Sequence, residues 1–74
     1  MQITVKLFAT LRRFNEKEFK YDISEGTTIE SVIGLLEIPH DEVAIIMVNG
    51  IKKTPEVQLY EEDVLALFPA VGGG

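Results

Sequence analysis

Side chains that commonly carry out catalysis are sparse in this 74-residue sequence. It has no cysteine, one histidine, His40, and only two serines, Ser24 and Ser31. A lone histidine in a polar segment, with no second histidine or cysteine at metal-ligand spacing, is typical of a solvated surface residue. The consecutive carboxylates Glu61–Asp63 favour a solvated turn over a cation site. We therefore predict no metal site and no enzyme activity of the chain alone.

The remaining candidate is the C-terminal segment, which ends in Gly72, Gly73 and Gly74. Glycine has no Cβ, so such a segment can enter a channel too narrow for side chains. Six extended residues from Pro69 would carry the terminal carboxylate about 20 Å from the folded body. That carboxylate becomes an electrophile once another enzyme activates it, for example by adenylation. A frayed terminus without function is the simpler alternative.

Composition limits the classes of partner. Seven basic residues oppose 12 acidic ones, which gives a net charge of −5. From Tyr21 onward only two lysines oppose the carboxylates, so we expect no nucleic acid as partner and faster encounter with a basic protein. Because no apolar run reaches about 18 residues, we expect no membrane partner and a cytoplasmic location.

Hydrophobic periodicity predicts the elements that precede the tail. Ile3, Val5 and Leu7 alternate with polar residues, which indicates a half-buried strand with Phe8 on its opposite face. A second strand over Glu18–Ile23 follows a turn, so the chain should open with a hairpin.

A helix is expected from Thr28 to Glu37, with Thr27 as its N-cap. Gly34 within it suggests either close packing on the sheet or a frayed end. The uniformly apolar run Val43–Val48 predicts a central strand covered on both faces, closed by a turn at Asn49-Gly50.

A short strand around Val57–Leu59 and a last strand over Val64–Phe68 complete the order of elements. One helix can cover one face of one sheet, so we predict an α+β, ubiquitin-like β-grasp fold with four to five strands. The predicted domain is 1–68, followed by a flexible tail, 69–74.

Three segments carry a resemblance to a known family. VKLFATLR over Val5–Arg12, then Val48-Asn49-Gly50, and finally Phe68–Gly74 occur in the order and spacing found in ubiquitin-like sulfur carriers. The chain resembles this family, which includes the molybdopterin synthase small subunit and the thiamine-biosynthesis sulfur carrier.

The resemblance implies that Gly74 is adenylated and becomes a thiocarboxylate, with Gly73 as the second glycine of the family's terminal pair. It implies Phe8, Phe68 and Pro69 as partner-binding residues, although Phe68 fits a core position equally well. Arg12 would pair with a partner carboxylate or remain solvated. The implied partners are an adenylating enzyme that uses ATP, a sulfurtransferase and a synthase large subunit, with no cofactor bound to the chain itself.

The sulfur acceptor stays open at this stage. Glu62-Asp63 replaces the family's usual Gly-Asp, and the ending Ala-Val-Gly-Gly-Gly is similar to the thiamine carrier. The opening strand with Phe8-Ala9 and Leu11-Arg12 favours the molybdopterin type. A protein modifier conjugated through Gly74 and a non-catalytic binding domain remain alternatives.

Overall fold

The computed structural model describes residues 1–70, and within them five strands form one sheet beside one α-helix. Two short 3₁₀ helices, at Ala9–Arg13 and His40–Glu42, connect these elements. The strands and the helix are β1 (Gln2–Leu7), β2 (Glu18–Asp22), α1 (Ile29–Leu35), β3 (Val43–Val48), β4 (Ile51–Lys52) and β5 (Val64–Pro69).

The strand order across the sheet is β2-β1-β5-β3-β4. The central strands β1 and β5 run parallel, whereas the other neighbours are antiparallel. A mixed sheet with one helix on it is the ubiquitin-like β-grasp fold, which confirms the predicted fold class. The first strand and the hairpin with β2 are also confirmed.

The core lies between α1 and the inner face of the sheet, and it is entirely aliphatic. Alternation along β1 places every second residue on this face, as the sequence predicts. The buried side chains in the described residues are Ile3, Val5, Leu7, Leu11, Ile23, Ile29, Val32, Ile33, Ile38, Ile46, Val48, Leu59, Leu65 and Leu67.

The N-cap of the helix lies one residue later than predicted. The N-cap is Thr28, whose hydroxyl oxygen accepts a hydrogen bond from the Ser31 backbone nitrogen, so the assignment of Thr27 was wrong. A Cβ on Gly34 would meet only His40 Cε1, at 4.0 Å. Close packing on the sheet therefore does not explain Gly34, which lies exposed near the end of the helix.

Two strand predictions also need correction. β3 is covered on one face only, because Ile46 and Val48 are buried while Ile45, on the face away from α1, is exposed. In place of the predicted short strand near Val57, the structure has a single bridge between Thr28 and Gln58. The short strand that brings the sheet to five is β4.

The last strand ends one residue later than predicted, at Pro69 instead of Phe68. Pro69 is the register partner of Val43 and therefore closes β5, since the fixed φ of proline suits extended backbone. Gly72, Gly73 and Gly74 lie outside the described residues. No helix in residues 1–70 is long and apolar enough to cross a membrane.

Candidate functional site

Two phenylalanines meet on the outer face of the sheet, the face opposite α1. Because β1 and β5 are parallel and Leu7 is the register partner of Leu67, the next residues, Phe8 and Phe68, leave their strands side by side. Their rings are stacked, with centroids 4.3 Å apart and an interplanar angle of 11°. Both side chains are half-buried, so Phe68 belongs to the surface and not to the core.

A groove of about 340 Å³ surrounds this stacked pair. Ile45 lies opposite Phe68 in the register of β3 and β5, and 39% of its surface is exposed. Residues Phe8, Ile45, Phe68 and Pro69 are called the aromatic patch below. The groove is lined by Phe8, Ala9, Thr10, Ile45, Phe68, Pro69 and Ala70.

Local backbone geometry fixes the position of Phe8. Its nitrogen donates to the Leu67 carbonyl oxygen at 3.2 Å, and its own carbonyl oxygen accepts from Leu11 N at 3.1 Å. Ala9 then adopts φ 51°, a left-handed conformation that costs a non-glycine residue about 1–2 kcal/mol. The chain then continues into the 3₁₀ helix Ala9–Arg13, whose Leu11 is fully buried in the core.

Arg12 lies next to the aromatic patch. Its Nε donates to the Leu7 carbonyl oxygen at 3.0 Å, and its guanidinium carbon is 5.9 Å from the Phe8 ring centroid. The side chain is nevertheless exposed. One N–H of the guanidinium is therefore used to hold the side chain, while the rest can bind an anion.

The structure thus brings together four of the predicted site residues, namely Phe8, Arg12, Phe68 and Pro69. The other three, Gly72, Gly73 and Gly74, lie outside the described residues, but Ala70 lines the groove. Sequence reasoning missed Ile45, because the apolar run Val43–Val48 predicted a strand covered on both faces, whereas the face that carries Ile45 is open. A uniformly apolar run gives no sign of which face is open.

The other titratable candidates have structural partners. Asp63 accepts hydrogen bonds from Tyr60 N at 2.8 Å and Asn49 Nδ2 at 2.9 Å, and Glu61 accepts one from Gln2 N at 3.1 Å. His40 Nε2 lies 3.3 Å from the Glu30 carbonyl oxygen. Within residues 1–70, no three such side chains are grouped in a way that could hold a metal ion.

A sequence model of the ThiS family matches residues 5–74, nearly the whole chain and its terminal glycines. A search of the curated proteins gives no match.

Solved structures share the fold along the full chain. SAMP1 from Haloferax volcanii is 22% identical, with a TM-score of 0.77 and 100% of both chains covered. A putative molybdopterin converting factor subunit 1 from Pyrococcus furiosus is 25% identical, with a TM-score of 0.76 and coverage of 95% of this chain and 98% of that one. A subunit in the complex of molybdopterin-converting factor subunits 1 and 2 from Helicobacter pylori is 21% identical, with a TM-score of 0.65 and 100% of both chains covered.

Proposed function

The chain belongs to the ThiS family, and on that premise we propose that it is a sulfur carrier whose Gly74 carboxylate is converted to a thiocarboxylate. A carboxylate oxygen of Gly74 attacks the α-phosphorus of ATP, which releases pyrophosphate and forms an acyl-adenylate. Sulfide then attacks the carbonyl carbon and displaces AMP. ATP is bound by the adenylating partner in this scheme and not by the chain.

The observation that carries this proposal is the position of the aromatic patch at the end of β5, from which the chain continues to the glycines. Phe8 and Phe68 form an exposed apolar surface at the end of β5, and Ala70 lines the same groove. Gly74 is four residues beyond Ala70 in the sequence, so the carboxylate can reach at most about 14 Å beyond the groove. The proposal therefore requires that a partner docked on the patch has its active site within this distance of the groove.

The direct test is intact mass spectrometry. The full chain is incubated with the adenylating enzyme of the same organism, ATP and sulfide. We expect a mass gain equal to the difference between a sulfur and an oxygen atom, dependent on ATP. A chain without Gly73 and Gly74 is the matched control. No gain, with an enzyme that thiolates its established carrier, would contradict the proposal.

For the sulfur acceptor we propose a molybdopterin-type synthase. The VKLFATLR segment and the likeness to the Pyrococcus furiosus subunit support it. The Helicobacter pylori protein is in a complex with subunit 2, which suggests a synthase large subunit as partner. The thiocarboxylated chain should return to its carboxylate mass with a molybdopterin synthase large subunit and its substrate, and not with a thiamine-type synthase.

A protein modifier is the second candidate, because the Haloferax volcanii structures with the same fold include small archaeal modifier protein 1. Here a lysine amine of another protein displaces AMP and forms an isopeptide bond. Since Lys53 is the last basic residue in the sequence, trypsin would leave a branch from Thr54 to Gly74 on the modified lysine. Finding that branch in cell extracts would favour conjugation over sulfur transfer.

A non-catalytic binding domain is the third reading, and deletion of the last residues separates it from the other two. Binding through the sheet alone predicts full activity without Gly73 and Gly74. The sulfur carrier and the protein modifier both predict that this deletion abolishes activity.

A further inference from the structure

Cationic side chains surround the aromatic patch on one side, although the net charge of the chain is −5. A second groove of about 220 Å³ is lined by Lys6, Leu7, Phe8, Arg12, Lys17 and Glu18. We call it the basic groove, since three cations face one carboxylate there. Phe8 lines both grooves, so the basic groove and the aromatic patch form one continuous surface.

The cations of the basic groove form no ion pair with any described residue. Across residues 1–70, the one ion pair within 4 Å joins Arg13 to Glu42. Lys6 faces outward because its neighbours Val5 and Leu7 are buried, and Glu18 lies opposite it on β2 without forming an ion pair. Lys6, Arg12 and Lys17 are therefore free to bind an external anion.

A group of three acidic residues lies at the opposite end of the sheet. Asp22 is the register partner of Gln2, and Glu61 and Glu62 are hydrogen-bonded to Gln2 as well. Gln2 and Phe8 are six residues apart along an extended strand, or about 20 Å. The acidic end is therefore separated from the patch by more than a Debye length at physiological salt, about 8 Å.

We propose that the basic groove binds an acidic segment of the partner protein that docks on the aromatic patch, an inference that rests on the proposed function. A specific interface buries about 800 Å² per partner, over 20 to 30 residues. The seven residues that line the patch groove are too few, so the interface extends onto adjoining surface. Covering Lys6 and Arg12 without an anion would leave charges desolvated and unpaired, which is costly.

The chemistry favours a protein over a nucleic acid as the acidic partner. A nucleic acid lies as a long polyanion across a wide surface, where the acidic end of the chain would repel it. A protein can place two or three carboxylates opposite the basic groove and apolar residues opposite the aromatic patch. This also revises the expectation of a basic partner, which counted charges without their positions.

The test compares two double variants with the same change in charge. Lys6→Gln/Lys17→Gln removes two cations from the basic groove, and Lys52→Gln/Lys53→Gln removes two near β4 at the other edge of the sheet. Association with the organism's adenylating enzyme is measured at low and high salt. We expect the first variant to associate about tenfold more slowly at low salt, with the difference lost at high salt, and the second to match the parent chain.

Equal rates for the two double variants would overturn the proposal, whereas sulfur loading of the parent chain would leave the proposed function intact. If the parent chain neither binds nor is adenylated, a hexaglutamate peptide replaces the enzyme. Its titration, followed by amide NMR shifts, should perturb Lys6, Arg12 and Lys17 and not Lys52. Shifts spread over all lysines, or equal binding of a single-stranded RNA of the same charge, would overturn it. Thermal unfolding of each variant checks that it is folded.

Discussion

At the scale of single residues, four residues other than glycine adopt a backbone conformation that glycine adopts more easily. Ala9, Glu37, Asn49 and Glu62 all have positive φ angles, between 51° and 69°. Glycine adopts such angles at little steric cost. Glu62 occupies the position where the family usually has glycine. This departure from the family pattern therefore places a strained residue in the folded chain.

Glu37 provides a stability prediction. Ile38 N donates to Ile33 O at 3.1 Å and Glu37 N to Gly34 O at 3.0 Å, the pattern that closes a helix around a left-handed residue. Glu37→Gly should therefore raise the free energy of unfolding by about 0.5–1 kcal/mol. Urea denaturation measures it. The control Glu30→Gly removes the same charge inside α1 and should lower stability by about 1 kcal/mol.

Glu56 provides a prediction about titration. The Thr54 hydroxyl donates to a carboxylate oxygen of Glu56, and this bond, with a backbone one, lowers the pKa of Glu56. A carboxyl group whose pKa is lowered by folding stabilises the fold at pH values above its ordinary pKa. This stabilisation is lost as the pH falls through the pKa of the folded state. Thr54→Val should raise the pKa of Glu56, as followed by carboxyl ¹³C NMR. An unchanged pKa would mean that the hydroxyl is not its partner.

At the scale of elements, the sequence predicted those whose local pattern and tertiary packing agree. Alternation identified β1 and β2, and Asn49-Gly50 identified the β3–β4 turn, where both residues have positive φ. β4 was missed because two residues are too few to show alternation. Leu59 is buried like a strand residue, but its nitrogen bonds to Thr27 O, outside the sheet.

The same limits apply to the candidate site. Strand parity placed Phe8 on the outer face, since it follows Leu7 in a regular strand. It left Phe68 undecided, because β5 is apolar on both faces, and only the register with Leu7 and Ile45 resolves it. The basic groove forms where β1, β2 and the 3₁₀ helix Ala9–Arg13 meet. Counting charges along the chain therefore does not predict its charge.

The turn between β3 and β4 is joined to the start of β5 by Asn49 and Asp63. Asn49 Nδ2 donates to Asp63 Oδ1 and Asn49 Oδ1 accepts from Val64 N, both at 2.9 Å. Asn49→Gly keeps the left-handed backbone and removes these bonds, so it should cost about 1–2 kcal/mol in unfolding free energy. A double-mutant cycle with Asp63→Ala should show coupling of at least about 0.5 kcal/mol. Additive effects would mean that the two residues act separately.

At the scale of the whole molecule, the two faces of the sheet have different compositions. In residues 1–70 the fully buried side chains are all aliphatic, with Phe14, Phe19 and Tyr21 partly buried against them, whereas the stacked Phe8 and Phe68 lie on the outer face. Aromatic side chains are common at the centres of interfaces. We infer that the inner face supplies most of the stability and the outer face supplies recognition.

Leu67 and Phe68 allow a direct test of that division, because they are adjacent residues on opposite faces of β5. Leu67 is fully buried, so Leu67→Ala should lower the free energy of unfolding by about 2–5 kcal/mol. Phe68 is half-buried and loses mainly its stacking on Phe8, so Phe68→Ala should cost only about 1 kcal/mol. Adenylation should respond in the opposite order. Phe68→Ala should lower kcat/KM at least about tenfold, while the folded fraction of Leu67→Ala reacts normally. Equal adenylation of both variants, corrected for folding, would show that the aromatic patch is not the docking surface.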